Sequence, residues 1–349
     1  MKTEHLLVVR FSAMGDVAMT VPVIASLAKQ YPHLRITMLS RPFAKPFFEH
    51  LAPNVGFMEA DIQKDYHGIK GLNALYRRLT AKHFTAVADL HNVLRSTYLR
   101  MRFNVAKVPT AHIDKHRQQR RMLTRRKDKV MEPLPTSFQN YMDVFAELGY
   151  PVKPDFTTLL TPDQASLRQL PAEIGEKKRF QQWIGIAPFA AHQGKTYPLE
   201  GMEQVIAKLT EHHPSCRIFL FCGGETEMRR IDDLVSRHPN CLNVAHMLHG
   251  LGEELILMSH LDVMVSMDSA NMHLASLVAI PVVSVWGATH PYAGFLGWNQ
   301  NPDNVVQLDL DCRPCSIYGK KPCMRGDYAC MTQLQPQMIV DKVEQNLPK

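Results

Sequence analysis

The sequence HLLVVRFSAMGD, at residues 5–16, places a largely apolar run directly before a turn and the start of a helix. The run HLLVVR, at 5–10, is typical of a buried strand. Gly15 permits the tight turn, and a helical pattern follows from 16 to 29. RITMLS, at 35–40, then repeats the strand pattern. A strand, a helix and a second strand in this order predict a βαβ unit, from which parallel sheets are built.

The same alternation continues through the rest of the chain. Further strands are expected at 55–60, 85–90, 104–108, 183–188, 217–222, 262–266 and 281–286. Further helices are expected at 68–82, 136–149, 199–212, 225–237 and 335–347. Between the two halves, residues 151–182 contain four prolines and many polar residues, which is the composition of a linker. The pattern therefore predicts an α/β protein of two Rossmann-like domains that face each other across a cleft.

Length and composition agree with two globular domains. The chain has 349 residues, of which 45% are hydrophobic and 21% charged. We expect an N-terminal domain at 1–165, a C-terminal domain at 166–334 and a final helix at 335–349. The sequence contains no apolar run of the roughly 18 residues that a membrane helix needs. Its seven cysteines are an odd number and a poor framework for disulfides, so a cytoplasmic location is expected.

The charge of the chain suggests an anionic partner. Its formal net charge is +7, and much of the positive excess lies within residues 112–129. The basic residues of this stretch are Lys115, Arg117, Arg120, Arg121, Arg125, Arg126, Lys127 and Lys129. We expect the stretch to meet an anionic substrate or membrane surface, although a basic run of this kind is also typical of a solvated face.

Three loops that follow predicted strands carry candidate functional side chains, because ligands of α/β proteins bind at the carboxyl ends of the strands. Asp16 follows the first strand, where an aspartate can be a base or simply a helix N-cap. Lys195 follows the strand at 183–188, where it can neutralise a phosphate or remain an exposed loop lysine. Asp268 ends a further strand, and Ser269 then opens a helix whose free N–H groups can hold a phosphate.

Taken together and in this order, the three loops resemble those of the ADP-heptose lipopolysaccharide heptosyltransferases, glycosyltransferase family 9. The residues that match are Ser12, Gly15 and Asp16, then Lys195, Tyr197 and Pro198, then Asp268, Ser269, His273, Leu274, Ala275, Pro281, Gly287, Thr289 and Pro291. The chain departs from the family pattern at Ala270, where glycine is usual, and at Ala190 and Ala191, where hydroxyl side chains are common. These departures concern the exact donor more than the class of reaction.

The resemblance implies a GT-B fold and an inverting glycosyltransferase. The N-terminal domain would bind the acceptor, lipopolysaccharide core or a similar glycolipid, and the C-terminal domain would bind a nucleotide-sugar, ADP-heptose or a related donor. Asp16 would deprotonate the acceptor hydroxyl. Lys195 and the helix start at Ser269 would hold the diphosphate leaving group, and Asp268 would orient the sugar.

The remaining site residues and partners are expected from the resemblance together with the positions of the residues after strands and the charge of the stretch at 112–129. The expected donor-binding residues are Lys195, Gly223, Glu225, Asp268, Ser269, Ala270, Asn271 and His273. The expected acceptor-binding residues are Ser12, Arg120, Arg121, Arg125 and Arg126. For His273, a packing role inside the helix is the alternative. Catalysis would need no cofactor, and the protein would contact the inner face of the inner membrane peripherally without binding nucleic acid.

Four cysteines near the end of the chain suggest a structural metal site. Cys312 and Cys315 form a C-x-x-C pair, and Cys323 and Cys330 follow. Four thiolates suit a closed tetrahedral zinc site in a reducing compartment. Free buried thiols and an oxidised pair are the alternatives.

Two other functions remain open at this stage. A GT-B sugar-nucleotide epimerase would act on one substrate and would not need a basic acceptor surface. A basic nucleic-acid-binding protein would need aromatic residues interleaved with the basic stretch for base stacking, and residues 112–129 contain none.

Overall fold

A computed structural model of the protein describes residues 4–348. Its first sheet is fully parallel, with the strand order β3-β2-β1-β4-β5. The strands are His5–Val9 (β1), Arg35–Ser40 (β2), Val55–Glu59 (β3), Ala86–Asp89 (β4) and Thr110–His112 (β5). The order reverses between β1 and β4, and the carboxyl edge at such a reversal is where α/β folds bind ligands.

The second sheet is also fully parallel, with the order β11-β10-β9-β6-β7-β8. Its strands are Trp183–Ala187 (β6), Arg217–Leu220 (β7), Cys241–Asn243 (β8), Val263–Met267 (β9), Val282–Val285 (β10) and Val305–Val306 (β11). The neighbours β10, β9, β6 and β7 run side by side, so the loops after them emerge at one edge.

Helices connect and cover these strands. They are Met14–Ala18 (α1), Val21–Gln30 (α2), Lys45–Phe48 (α3), Gly68–Thr80 (α4), Leu94–Val105 (α5), Arg117–Leu123 (α6), Ser137–Glu147 (α7), Leu199–His212 (α8), Glu225–Val235 (α9), Leu251–Ser259 (α10), Ala270–Leu277 (α11), Ala329–Thr332 (α12) and Pro336–Asn346 (α13). Short 3₁₀ turns at 167–169 and 172–174 occupy the proline-rich linker.

Two predicted elements differ from the structure. The single helix expected at 16–29 is two helices, because Pro22 lies at the start of α2 and lacks the N–H that a continuous helix would need. The strand expected at 104–108 is wrong, since α5 continues to Val105 and buries Phe103 against the first sheet. The strand in this region is Thr110–His112 instead.

The chain divides into two compact units, and the residues assigned to each differ from the expected division at residue 165. The first unit comprises residues up to 115 together with 135–159, and the second comprises 116–134 and the chain from 160 onward. The segment 116–134, which carries α6, therefore belongs to the second unit and not to the N-terminal one in which we expected it. The boundary near 160 lies close to the predicted position at 165.

Each unit has its own apolar core. In the first unit, strands β1 and β2 pack against α4 and α5, through side chains such as Leu7, Leu75 and Phe103. In the second, α13 packs Ile339 and Val343 into the same core as the strands of the second sheet. The final helix is thus an integral part of the second unit.

Across residues 4–348, none of the helices combines the length and the apolarity needed to cross a membrane.

The central strand β6 has no room for a side chain at Gly185. A Cβ atom there would lie 2.5 Å from Leu261 Cδ1 and 2.5 Å from Met264 Sδ. We therefore expect Gly185→Ala to lower the free energy of unfolding by about 1–3 kcal/mol, the usual cost of overpacking. Gly56→Ala, at an exposed position of the edge strand β3, is the matched control, because its Cβ would meet only Ile36 O at 3.9 Å. Equal thermal midpoints for both variants would contradict this account of the core.

Candidate active site

In the second unit, the loops after β6, β9 and β10 bring three polar side chains together. Lys195 Nζ lies 3.0 Å from Asp268 Oδ2, and the side chains of this pair are 16% and 6% exposed. Thr289 Oγ1 donates to the same Asp268 oxygen at 2.8 Å. A carboxylate this buried requires such partners. The sequence placed Lys195 and Asp268 in one site, but it did not reveal that they form an ion pair.

The backbone of these loops is packed too closely for larger residues. A Cβ at Gly287 would lie 2.5 Å from Gly194 O, and a Cβ at Gly319 would lie 2.5 Å from the Lys195 side chain. Ala288 N donates to Gly194 O at 2.7 Å, which ties the two loops together. The stem of Lys195 is therefore confined between neighbouring backbone segments, and its ammonium group has a defined position.

Helix α11 begins at Ala270, two residues after Asp268, and Ser269 is its N-cap in an extended conformation. Ala270 is the first helical residue and so has the negative φ of a helix. The departure from glycine therefore costs nothing in backbone conformation here. Asn271 is partly exposed at the helix start, whereas His273 is 6% exposed. Ser269, Ala270 and Asn271 lie where free backbone N–H groups can meet an anion.

Gly223 and Glu225 follow β7 at the same edge of the sheet. Gly224 between them has φ +77°, a conformation that favours glycine. The Gly223 N–H donates to Glu227 Oε2 at 2.8 Å. Glu225 is highly exposed and lies 3.6 Å from Arg229 one turn away. The predicted position at the sheet edge is correct, while contact with a nucleoside stays a prediction.

In the first unit, Asp16 contacts Arg10 and the backbone of Ala13. Arg10 Nη2 lies 2.8 Å from Asp16 Oδ1, and Ala13 N donates to Oδ2 at 3.0 Å. Asp16 is thus the third residue of α1 and returns to its N-cap backbone, as in a capping box. The side chain is 28% exposed, so solvent and a substrate can reach it. The N-cap interpretation of Asp16 is wrong, because Ala13 is the N-cap of α1, while the catalytic interpretation stays a prediction.

Arg10 and His91 also lie near Asp16, and the sequence analysis did not identify either as a site residue. Arg10 is 7% exposed and also donates to Leu90 O at 2.5 Å and Ser12 O at 3.0 Å. His91 lies 3.5 Å from both Phe11 N and Ser12 Oγ. Burial and the nearby Arg10 and Lys115 charges lower the pKa of His91 to about 3. Only the position of His91 directly after β4 could have indicated it.

The basic segment is attached to the second unit through specific contacts. Arg120 Nη1 donates to Tyr318 OH at 2.5 Å, and its guanidinium lies 5.2 Å from the centre of the Phe295 ring. Lys129 Nζ donates to the backbone carbonyls of residues 311 and 313. Arg121, Arg125 and Arg126 are exposed. Arg120 therefore anchors the segment, and of the four arginines expected to bind the acceptor, Arg121, Arg125 and Arg126 are available to an anionic partner.

The expected zinc site at the four cysteines stays a prediction. Within residues 4–348, no three His, Cys, Asp or Glu side chains are arranged so that they could hold a metal ion. Cys312 is exposed and Cys330 is buried, and burial raises the pKa of the Cys330 thiol to about 11. These cysteines are free thiols in this structure.

The two parallel sheets with their covering helices make an α/β protein, and its likeness to the solved structures of heptosyltransferases shows the GT-B fold. Residues 72–324 match the sequence profile of glycosyltransferase family 9 (heptosyltransferase). Because this match covers more than half of the chain, the protein belongs to glycosyltransferase family 9 and is a transferase. The family does not favour an epimerase or a nucleic-acid-binding protein, the two alternatives left open by the sequence.

Individual relatives agree with this assignment. The lipopolysaccharide core heptosyltransferase OpsX of Haemophilus influenzae is 22% identical over 313 residues, which cover 87% of this chain and 84% of OpsX. A family 9 glycosyl transferase from Veillonella parvula superposes with a TM-score of 0.72 at 17% identity, covering 99% and 97% of the two chains. Escherichia coli heptosyltransferase WaaC with ADP-2-deoxy-2-fluoro heptose gives 0.68 at 19% identity, covering 98% and 99%. At these identities the solved structures establish the shared fold alone.

The depressed pKa of His91 predicts how stability depends on pH. The unfolded chain binds a proton near pH 6.5, whereas folded His91 takes it up only near pH 3. The free energy of unfolding should therefore fall as pH is lowered through this window. In His91→Gln the fall should be shallower, and His33→Gln, at an exposed position, should retain the original slope. Denaturant midpoints measured above and within the window test this. A His91→Gln slope equal to that of the parent would overturn it.

Proposed function

We propose that the protein transfers heptose from ADP-heptose to lipopolysaccharide core, or to a closely similar anionic glycolipid, with inversion at the anomeric carbon. The observation that carries the proposal is the pair of Lys195 and Asp268 beside the first turn of α11. The largely buried ammonium group of Lys195 and the free backbone N–H groups of the first turn of α11 lie close together, an arrangement that suits a diphosphate. Family membership and the name of OpsX support the heptose and the acceptor class.

In this proposal, the second unit holds the donor. Lys195 and the N–H groups at Ser269, Ala270 and Asn271 meet the diphosphate, on which negative charge grows as the glycosidic bond breaks. Asp268 uses Oδ2 for Lys195 and Thr289, so we assign its Oδ1 to a sugar hydroxyl. Because Lys195 is already held before the donor arrives, little reorganisation accompanies the reaction. No step requires zinc.

The acceptor hydroxyl is activated by Asp16 in the first unit. An accessible carboxylate can accept the proton as the hydroxyl attacks, even though aspartate is a weak base in water. Arg10 and the Ala13 N–H fix the orientation of the carboxylate, and Ser12 lies beside it. The proton passes to Asp16, the new bond forms at the anomeric carbon, and the nucleoside diphosphate leaves from the opposite face.

The exposed arginines of the segment 116–134 meet the phosphates and carboxylates of the glycolipid. Each basic residue near an anionic surface contributes on the order of 1 kcal/mol, within about one Debye length. We therefore place the enzyme in the cytoplasm, in peripheral contact with the inner face of the membrane that carries its acceptor.

Asp16→Asn should lower kcat by roughly 10²- to 10⁴-fold, the usual contribution of a general base. The amide oxygen can still accept from the Ala13 N–H, but the ion pair with the buried Arg10 is lost, so the thermal midpoint should fall and kcat is compared at a temperature where both proteins are folded. Affinity for ADP, measured by calorimetry, should be unchanged. Asp155→Asn, which removes an exposed carboxylate paired with Lys29, serves as the control. Turnover near the parent rate in Asp16→Asn would show that another group is the base.

Lys195→Ala should weaken ADP binding by roughly 10- to 100-fold, since it removes a charge-assisted hydrogen bond to the diphosphate. Lys178→Ala removes an exposed lysine just before β6, at the opposite end of that strand, and should leave ADP affinity unchanged. Calorimetric titration of both variants makes the comparison. Parent-like affinity in Lys195→Ala would remove this lysine from the donor site.

Replacing Arg121, Arg125 and Arg126 together by Gln should raise the acceptor KM and flatten its dependence on salt, because counterion-sensitive contacts are lost. ADP affinity should remain that of the parent. Arg120→Gln is a separate variant, since Arg120 contacts Tyr318 and Phe295, and its principal effect should be on the anchoring of the segment. If the triple variant keeps the parent KM at low salt, the segment is a solvated face.

A further inference from the structure

Arg313 is a buried cation for which the proposed reaction has no role so far. It is 5% exposed, and its guanidinium donates to four oxygens: the carbonyls of Gly287, Leu308 and Thr289, and Gln307 Oε1. None of these four acceptors carries a charge. Burying a cation among neutral acceptors is costly, and burial lowers the pKa of Arg313 below its ordinary value. A structure that keeps such a group needs a compensating reason.

Two of the four acceptors belong to one functional segment. Arg313 Nε donates to Gly287 O, and Nη2 donates to Thr289 O at 3.0 Å. These carbonyls flank Ala288, whose own carbonyl accepts from Cys315 N at 3.0 Å and Ser316 N at 3.1 Å. The planar guanidinium thus fixes the backbone from 287 to 289 at both ends, and the loop after Arg313 fixes it in the middle.

The backbone segment 287–289 contacts Asp268 and the loop of Lys195, the two side chains of the proposed donor site. Thr289 Oγ1 donates to Asp268 Oδ2, and Asp268 holds Lys195. At the other end of the segment, Ala288 N donates to Gly194 O, directly before Lys195. Displacement of 287–289 would therefore move both the carboxylate that orients Lys195 and the backbone from which Lys195 projects.

We propose that Arg313 is a positioning residue of the donor site, which holds the 287–289 backbone and, through Thr289, sets the geometry of Asp268 and Lys195. The inference rests on the proposed function, because it assumes that this group binds the diphosphate. It assigns no direct contact with the substrate to Arg313.

The test uses the full-length protein and ADP as the probe. Arg313→Met removes both the positive charge and the planar guanidinium with its several N–H donors. Arg313→Lys keeps the charge but lacks the planar guanidinium. We expect Arg313→Met to weaken ADP binding and to raise the donor KM by about tenfold or more, since small displacements in preorganised sites are costly. Arg313→Lys should be intermediate, and the acceptor KM should not change. Arg325→Met, in the same loop at an exposed arginine paired with Asp327, is the matched control and should behave like the parent.

A double-mutant cycle separates positioning from a general loss of stability. If Arg313 acts through Thr289, then Arg313→Met combined with Thr289→Val should weaken ADP binding little more than the stronger single change. Thr289→Ser should restore the affinity that Thr289→Val loses. Should Arg313→Met fail to fold, Arg313→Lys with Thr289→Val completes the cycle.

The possible outcomes distinguish this inference from the proposed function. Folded Arg313 variants with parent ADP affinity, or additive effects in the cycle, would overturn the positioning role while the donor site stands. If the parent itself does not bind ADP, the proposed donor is wrong, and the inference falls with it. Selective loss of ADP affinity with coupling to Thr289 supports it.

Discussion

The contact between Lys195 and Asp268 depends on the parallel arrangement of the second sheet. Lys195 follows β6 and Asp268 follows β9, and these strands are hydrogen-bonded neighbours that end at the same edge. Parallel strands need long crossovers, so residues far apart in sequence meet at one edge. The glycines at 194, 287 and 319 then allow the three loops to approach within contact distance. A cation that is poorly hydrated and already held beside a helix start is the feature that makes this edge suitable for a diphosphate.

In the first unit, too, the candidate functional side chains follow neighbouring parallel strands, but the central residue there is an acid. Its acidic residue, Asp16, follows β1, and His91 follows the neighbouring β4, so both lie at the carboxyl edge where the strand order reverses. Arg10 and the Ala13 N–H hold the carboxylate without burying it completely. The first unit thus presents an accessible anion and the second a confined cation. Each suits one half of a displacement in which an acceptor hydroxyl loses a proton and a diphosphate departs.

Strong local patterns were predicted correctly, and features that depend on tertiary contacts were not. The strand at 35–40 and the helix at 199–212 have the predicted bounds, because their apolar periodicity is clear. The residues at 104–108 were misread as a strand because valines and a short length do not distinguish a strand from the end of a packed helix. Lys195 and Asp268 were identified from their places after strands, but the ion pair between them, and the roles of Thr289 and Arg313, depend on contacts across more than twenty residues. The spacing of the cysteines suggested zinc, and this stays a prediction, since within residues 4–348 they form no group of three or more metal ligands.

The central claim is that one chain couples a donor diphosphate site to acceptor activation in a heptosyl transfer. The most direct measurement incubates the purified protein with ADP-heptose and a heptose-deficient lipopolysaccharide core, and follows the acceptor by mass spectrometry and the anomeric centre by NMR. The account predicts a gain of one heptose per acceptor, with one equivalent of ADP released and the anomeric configuration inverted relative to the donor. Retention of configuration, or release of ADP with free heptose and an unmodified acceptor, would contradict it.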